Sequence, residues 1–145
     1  MALAAQDIAD ITQLYAAYNH AVDNGEGEAF AAFFVADGAL VPDGQPIAGA
    51  DALAAFATSV PGSLPGIRHL ASNILVSGDG DEATGQCYLT VLIAGAQPQV
   101  LMTGRYRDTC PPEVVTTNSP GPEGTSPRRN PGYPGVNNMP TVCSV

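Results

Sequence analysis

At residue 67 the hydrophobic period of this 145-residue chain changes from 3.6 to 2. Three long strands are predicted from that point, over 67–77, 82–95 and 99–109, joined by the short segments "SGDGDE" and "AGAQPQ". Glycine and aspartate in the first joint supply the backbone angles a hairpin needs. Upstream, Ile8, Ile11, Tyr15, Tyr18 and Val22 recur at spacings of three and four, which draws one apolar stripe along a helix over 6–23. The stretch "DNGEG" ends it. "EAFAAFF" reads as a second helix, "DGALVPDG" as a short strand between turns, and "ADALAAFATSV" as a third helix with Asp51 near its first turn. Helices first and antiparallel strands after them give an α+β fold, with the helices covering one face of a curved sheet.

The periodic pattern stops at "RYRDT". Residues 111–145 hold eight prolines and four glycines without any apolar period. Proline removes backbone donors and blocks helix and central strand alike. The expected organisation is one domain over 1–110 and an extended or disordered tail over 111–145.

Charge narrows the function. Fourteen acids face five arginines and no lysine, for a net charge of −9. A clustered cationic footprint for nucleic acid is missing, and an anionic membrane is no natural partner. Without lysine, Schiff-base catalysis and the P-loop are excluded. Three widely spaced cysteines, Cys87, Cys110 and Cys143, match neither a zinc site nor a disulfide framework. With no cationic, apolar leader and no stretch of about 18 apolar residues, the expectation is a cytoplasmic protein.

Only two histidines are present, and one of them heads the apolar run "RHLASNILV". Strand alternation puts His69 on one face with Ala71, Asn73 and Leu75, and Arg68, Leu70, Ser72, Ile74 and Val76 on the other. Both faces are largely apolar, so the strand is expected to be buried on both sides, where imidazole nitrogens need partners. A carboxylate is the most effective partner, because it fixes the tautomer and stabilises the imidazolium. Asp23, at the end of the helical stripe, is the candidate, with Tyr18 five residues before it. Each has a plainer reading: His69 as a core histidine bonded to a backbone carbonyl, Asp23 as a turn residue, Tyr18 as a core aromatic. Strand parity adds Asn73, Cys87, Met102 and Tyr106 as possible cavity-lining residues. His20 falls off the stripe and is expected in solvent.

The order and spacing of "ITQLYAAYNHAVDNGEGEAFAAFF", "IAGADALAAF", "RHLASNILV", "ATGQCYL" and "TGRYRD" resemble the SnoaL-like branch of the nuclear-transport-factor-2-like (NTF2-like) superfamily over residues 6–109. That resemblance implies a cone of three helices on a curved mixed, mostly antiparallel sheet, and a His–Asp dyad in its cavity at the positions of His69 and Asp23. Tyr18 also matches a tyrosine of one such enzyme. Two departures stand out. Val91 replaces an acid, and the Pro/Gly-rich tail stands where relatives continue into a further strand. An open sheet edge of that kind favours self-association, and the resemblance implies a trimer or dimer.

Together these readings lead to a cofactor-independent, metal-free lyase of dehydratase type acting on a hydrophobic cyclic small molecule. His69 would take a proton from carbon and return one to departing hydroxide, and Tyr18 would donate to the enolate oxygen. Isomerisation or cyclisation of a similar ring is the alternative, as is a non-catalytic binding or oligomerisation module, because one fold hosts many functions.

Overall fold

The computed structural model describes residues 2–36, 38–42, 45–79 and 82–110. Helix α1 spans Ala5–Asn24. Its start is sealed by Asp7, whose carboxylate accepts the Ala4 backbone N–H at 3.0 Å. Its end is set by Gly25, which takes the left-handed conformation (φ 71°) and donates its N–H to the carbonyls of Ala21 and Val22. The buried face is broader than one stripe: Ile11, Tyr15, Tyr18 and Val22 are joined by Leu14, Ala17 and Ala21, while Ile8 is exposed. Each large side chain buried here contributes about 1.5–3 kcal/mol. That is enough to anchor the helix against the sheet.

Helix α2 (Gly27–Ala31) is one turn long and carries Phe30 into the core. Strands β1 (Ala39–Leu40) and β2 (Ile47–Ala48) form a separate antiparallel pair, of which the sequence reading anticipated only the first member. Helix α3 (Ala50–Ser63) packs on α1 and α2 through Leu53, Ala57 and Val60 and runs past Pro61, three residues beyond the predicted end.

The main sheet has the order β3-β4-β5, with strands Ile67–Gly78, Ala83–Ile93 and Gln99–Cys110. Every strand pairing among the described residues is antiparallel. Its inner face, under α1, carries Ile67, Ala83, Cys87, Leu89, Val91 and Tyr106, all buried. Strand β3 is not buried on both sides as expected, and the outer face of its neighbours is likewise open. Leu70, Leu75, Tyr88 and Val100 stand on the outer face and are exposed in the isolated chain, Val100 by 63%.

One irregularity resets the parity of β3. Between Ser72 and Leu75 the pairing register slips by one residue, so that Asn73 and Ile74 together oppose Cys87. Asn73 takes a positive φ of 54° at this bulge, a conformation that asparagine tolerates better than most residues. From there on, Ile74 and Val76 turn inward and Leu75 turns out. The Pro/Gly-rich segment 111–145 lies outside the described residues.

Candidate functional site

Because Gly25 stops α1 where it does, the carboxyl group of Asp23 projects from the last helical turn toward the first residues of β3. Both of its oxygens are used there. Asp23 Oδ2 accepts the backbone N–H of His69 at 3.0 Å, and Oδ1 lies 2.6 Å from His69 Nδ1. The pair is well shielded, with side-chain exposures of 8% for Asp23 and 16% for His69. An acidic side chain at a helix C-terminus meets the negative end of the dipole. Two N–H groups donated by one residue offset that cost. With Nδ1 donating to the carboxylate, the lone pair of the neutral ring sits on Nε2, which has no hydrogen-bond partner among the described residues.

Both side chains line a groove of about 660 Å³ between α1 and β3. Thr12, Ala16, Asn19 and His20 contribute from the helix, and Arg68, Ala71 and Ile74 from the strand. The surface it presents is mainly apolar, contributed by Ala16, Leu70, Ala71, Ile74 and the carbon atoms of longer side chains, while Thr12, Gln13, Asn19, His20, Asn24 and Arg68 bring polar groups to its walls. His20 is exposed, as expected, yet borders the same groove.

Behind the groove lies an aromatic interior. Tyr18 packs against Phe30 (4.8 Å between ring centroids) and edge-on against Tyr106 (5.8 Å), and does not line the groove. Five residues on a helix rotate by about 140°, which turns Tyr18 inward when Asp23 faces β3. Burial, aided by the nearby Asp108 charge, pushes the Tyr18 hydroxyl well above the usual phenol range. Tyr106 is pushed up by the same burial and donates its hydroxyl to Asn19 Oδ1 at 3.3 Å. Cys87, also buried, is held up at about 11 chiefly by desolvation, and so is a packing thiol.

A second carboxyl sits deep in this interior. Asp108, 5% exposed, accepts the Tyr15 hydroxyl at 2.7 Å on Oδ2, while Oδ1 is buried without a partner. Desolvation raises its pKa to about 6 against the lowering effect of the Tyr15 bond. Gly85, opposite Asp108 in the β4–β5 register, makes room for Tyr15: a Cβ there would run into the tyrosine hydroxyl. That steric demand gives the glycine of "ATGQCYL" its reason.

The structure therefore brings Asp23 and His69 together and places Tyr18, Cys87 and Tyr106 in the core behind them. Asn73 and Met102 are elsewhere. The bulge puts Asn73 on the outer side, in a recess of about 240 Å³ with Leu75, Tyr88 and Arg105. Met102 is 51% exposed near the start of β5. Sequence reasoning missed Asn19 and Asp108. The first stands one helical turn before Asp23, and the second alternates with Tyr106 in "RYRD", so spacing would have disclosed both. Among the described residues no group of three His, Cys, Asp or Glu side chains could hold a metal ion, and no helix is long and apolar enough to cross a membrane.

A family model described as the SnoaL-like domain matches residues 4–113. The chain belongs to the SnoaL-like family. Its α+β architecture recurs in solved structures. Rv3472 of Mycobacterium tuberculosis, described as of unknown function, is 35% identical with a TM-score of 0.63, over 70% of this chain and 60% of that one. This SnoaL-like chain thus spans less than two thirds of that relative. Aln2 from a Streptomyces species is 29% identical with a TM-score of 0.64, over 73% and 80% of the two chains. An NTF2-like protein with a cystatin-like fold from Novosphingobium aromaticivorans is 27% identical with a TM-score of 0.65, over 72% and 71%. No curated protein matches the SnoaL-like chain.

Proposed function

We propose that this SnoaL-like protein is a cofactor-independent lyase that eliminates water from a hydrophobic ring compound, with His69 as the base. The observation that carries the reading is the 2.6 Å contact between His69 Nδ1 and Asp23, which leaves Nε2 as the basic nitrogen beside an apolar groove. A substrate bearing a carbonyl group and a hydroxyl on the β carbon would give up its α proton to Nε2. The C–H electron pair moves into an enolate, and its collapse forms the C=C bond as the C–O bond breaks. The imidazolium returns its proton to the departing hydroxide, so that the products are an enone and water. Asp23 fixes the ring and stabilises the imidazolium between the two transfers.

Supporting features are the shielded dyad, the apolar walls and a family domain that covers most of the chain. The exposed apolar outer face of the sheet supports a second copy of the chain as partner, and the odd number and wide spacing of the cysteines support a cytoplasmic setting.

The test is a screen of β-hydroxyketone rings for loss of water, followed by absorbance of the enone and mass of the product. His69→Ala is expected to abolish turnover, and Asp23→Asn to lower kcat by on the order of 10²-fold or more. Water loss that survives His69→Ala rules out the base. A double-bond shift without a change in mass would instead favour isomerisation.

A further inference from the structure

The dyad accounts for the proton but leaves the developing enolate oxygen without a donor, and Tyr18 is turned into the aromatic interior. Asn19 is placed differently. Four residues before Asp23 on α1, it occupies the same side of the helix one turn away, and it lines the same groove as Asp23 and His69. Its body is buried, at 4% exposure, so the side chain is held rather than free to swing. The Tyr106 hydroxyl, reaching from β5, donates to its Oδ1 at 3.3 Å. An asparagine amide whose oxygen is engaged from below presents its NH₂ hydrogens on the other side. Among the described residues Asn19 has no further hydrogen bond, and Asp108 Oδ1 is the one sealed-off, partnerless side-chain oxygen or nitrogen, so the Asn19 amide nitrogen keeps access to the groove.

We infer that Asn19 is the oxygen-binding residue of the groove, selecting ligands with a ring-attached carbonyl group and donating Nδ2–H to that oxygen, with Tyr106 as the positioning residue that sets the amide. The inference rests on the groove being the substrate site. A polar donor in an apolar wall is worth most to ligands that bring a matching acceptor, because an unmatched pair leaves a desolvated group unpaired. Tyr106 contributes orientation: its single hydroxyl proton points the amide oxygen inward and so keeps the donors outward.

The full-length protein is tested with 2-acetylnaphthalene and with 2-isopropenylnaphthalene, which has the same shape and lacks the oxygen. Binding is followed by fluorescence, and the bound ketone by its C=O stretching frequency. The wild-type protein is expected to prefer the ketone by about fivefold, the equivalent of one hydrogen bond, with the stretch shifted to lower frequency. Asn19→Ala removes both the preference and the shift. Tyr106→Phe keeps binding but loses part of the preference and broadens the band, because the amide can then rotate. The double variant, which leaves no hydroxyl unpaired, guards against a folding defect in the single one. Deuterium exchange at the methyl group of the same ketone reports the base separately. If exchange is lost in His69→Ala while the ketone preference and frequency survive Asn19→Ala, the assignment of Asn19 is overturned and the dyad stands. If neither compound binds the wild-type protein, or exchange is untouched by His69→Ala, the groove reading itself falls and takes this assignment with it.

Discussion

Asp108 ties the stability of the domain to pH in a direction opposite to that of most carboxylates. Its pKa rises from 3.8 to about 6 on folding, chiefly by desolvation, and the single Tyr15 bond does not reverse that. A raised acid binds its proton more tightly in the folded chain than in the unfolded one, so folding is favoured when the group is protonated. Well below pH 3.8 both states carry the proton and ionisation costs nothing. Between 3.8 and about 6 the cost grows, and above it the penalty is complete. At about 1.4 kcal/mol for each tenfold change in proton affinity, it reaches about 3 kcal/mol at neutral pH. The perturbation is Asp108→Asn, which keeps an acceptor for Tyr15 and cannot ionise. Other groups titrate in the same range, so the quantity to measure is the difference in unfolding free energy between the two proteins, by urea denaturation at half-unit steps from pH 4 to 8. The wild-type protein should lose about 2–2.5 kcal/mol relative to Asp108→Asn across that span, the rest of the penalty having accrued below pH 4, with most of the change below pH 7. Parallel profiles would refute the reasoning, since they would mean that Asp108 ionises as easily folded as unfolded.

Two further expectations follow from the same packing. Gly85→Ala places a methyl group against the Tyr15 hydroxyl and separates it from Asp108, with an expected loss of about 2–3 kcal/mol; Tyr15→Phe in the same chain should recover part of that loss in a double-mutant cycle, and strictly additive effects would dismiss the coupling. If a second copy covers the outer sheet face, charges at two of its exposed residues, Leu75→Glu with Tyr88→Glu, should convert a sedimenting oligomer to monomers; a wild-type chain that is already monomeric at micromolar concentration would remove that partner.

Much of this was legible in the chain because it depended on local period. The switch at residue 67 marked the start of β3 to the residue, and the recurring apolar positions of α1 fixed which side faces the sheet. The contact between Asp23 and His69 was legible for a related reason. A carboxylate at the last turn of a helix and an imidazole at the start of a strand are positions that need few assumptions about what lies between them. Residues farther along an element were harder. Met102 stands at the correct parity and opposite Val91, yet it is half exposed among the described residues, and coverage by another element is a tertiary property that alternation cannot express. Tyr18 fails the other way: closeness along the chain to Asp23 singles it out, whereas the rotation of about 140° between them is the decisive quantity.

The bulge at Asn73 explains why strict alternation had to fail in β3. Without it, a strand that keeps His69 inside would also keep Asn73 and Leu75 inside and turn Ile74 and Val76 out to solvent. The sequence "HLASNILV" asks for both an inward histidine and an inward Ile74 and Val76, which an unbroken period of 2 cannot deliver. One extra residue resolves the conflict, and it falls on an asparagine, a residue that accepts positive φ at small cost. Its position also shapes the groove. Ile74 lines the same groove as His69, so shifting the phase there adds an apolar side chain to the groove wall, where an unshifted strand would have set the Asn73 amide. On that account the bulge sets the lining of the groove, although Asn73 itself stands outside it.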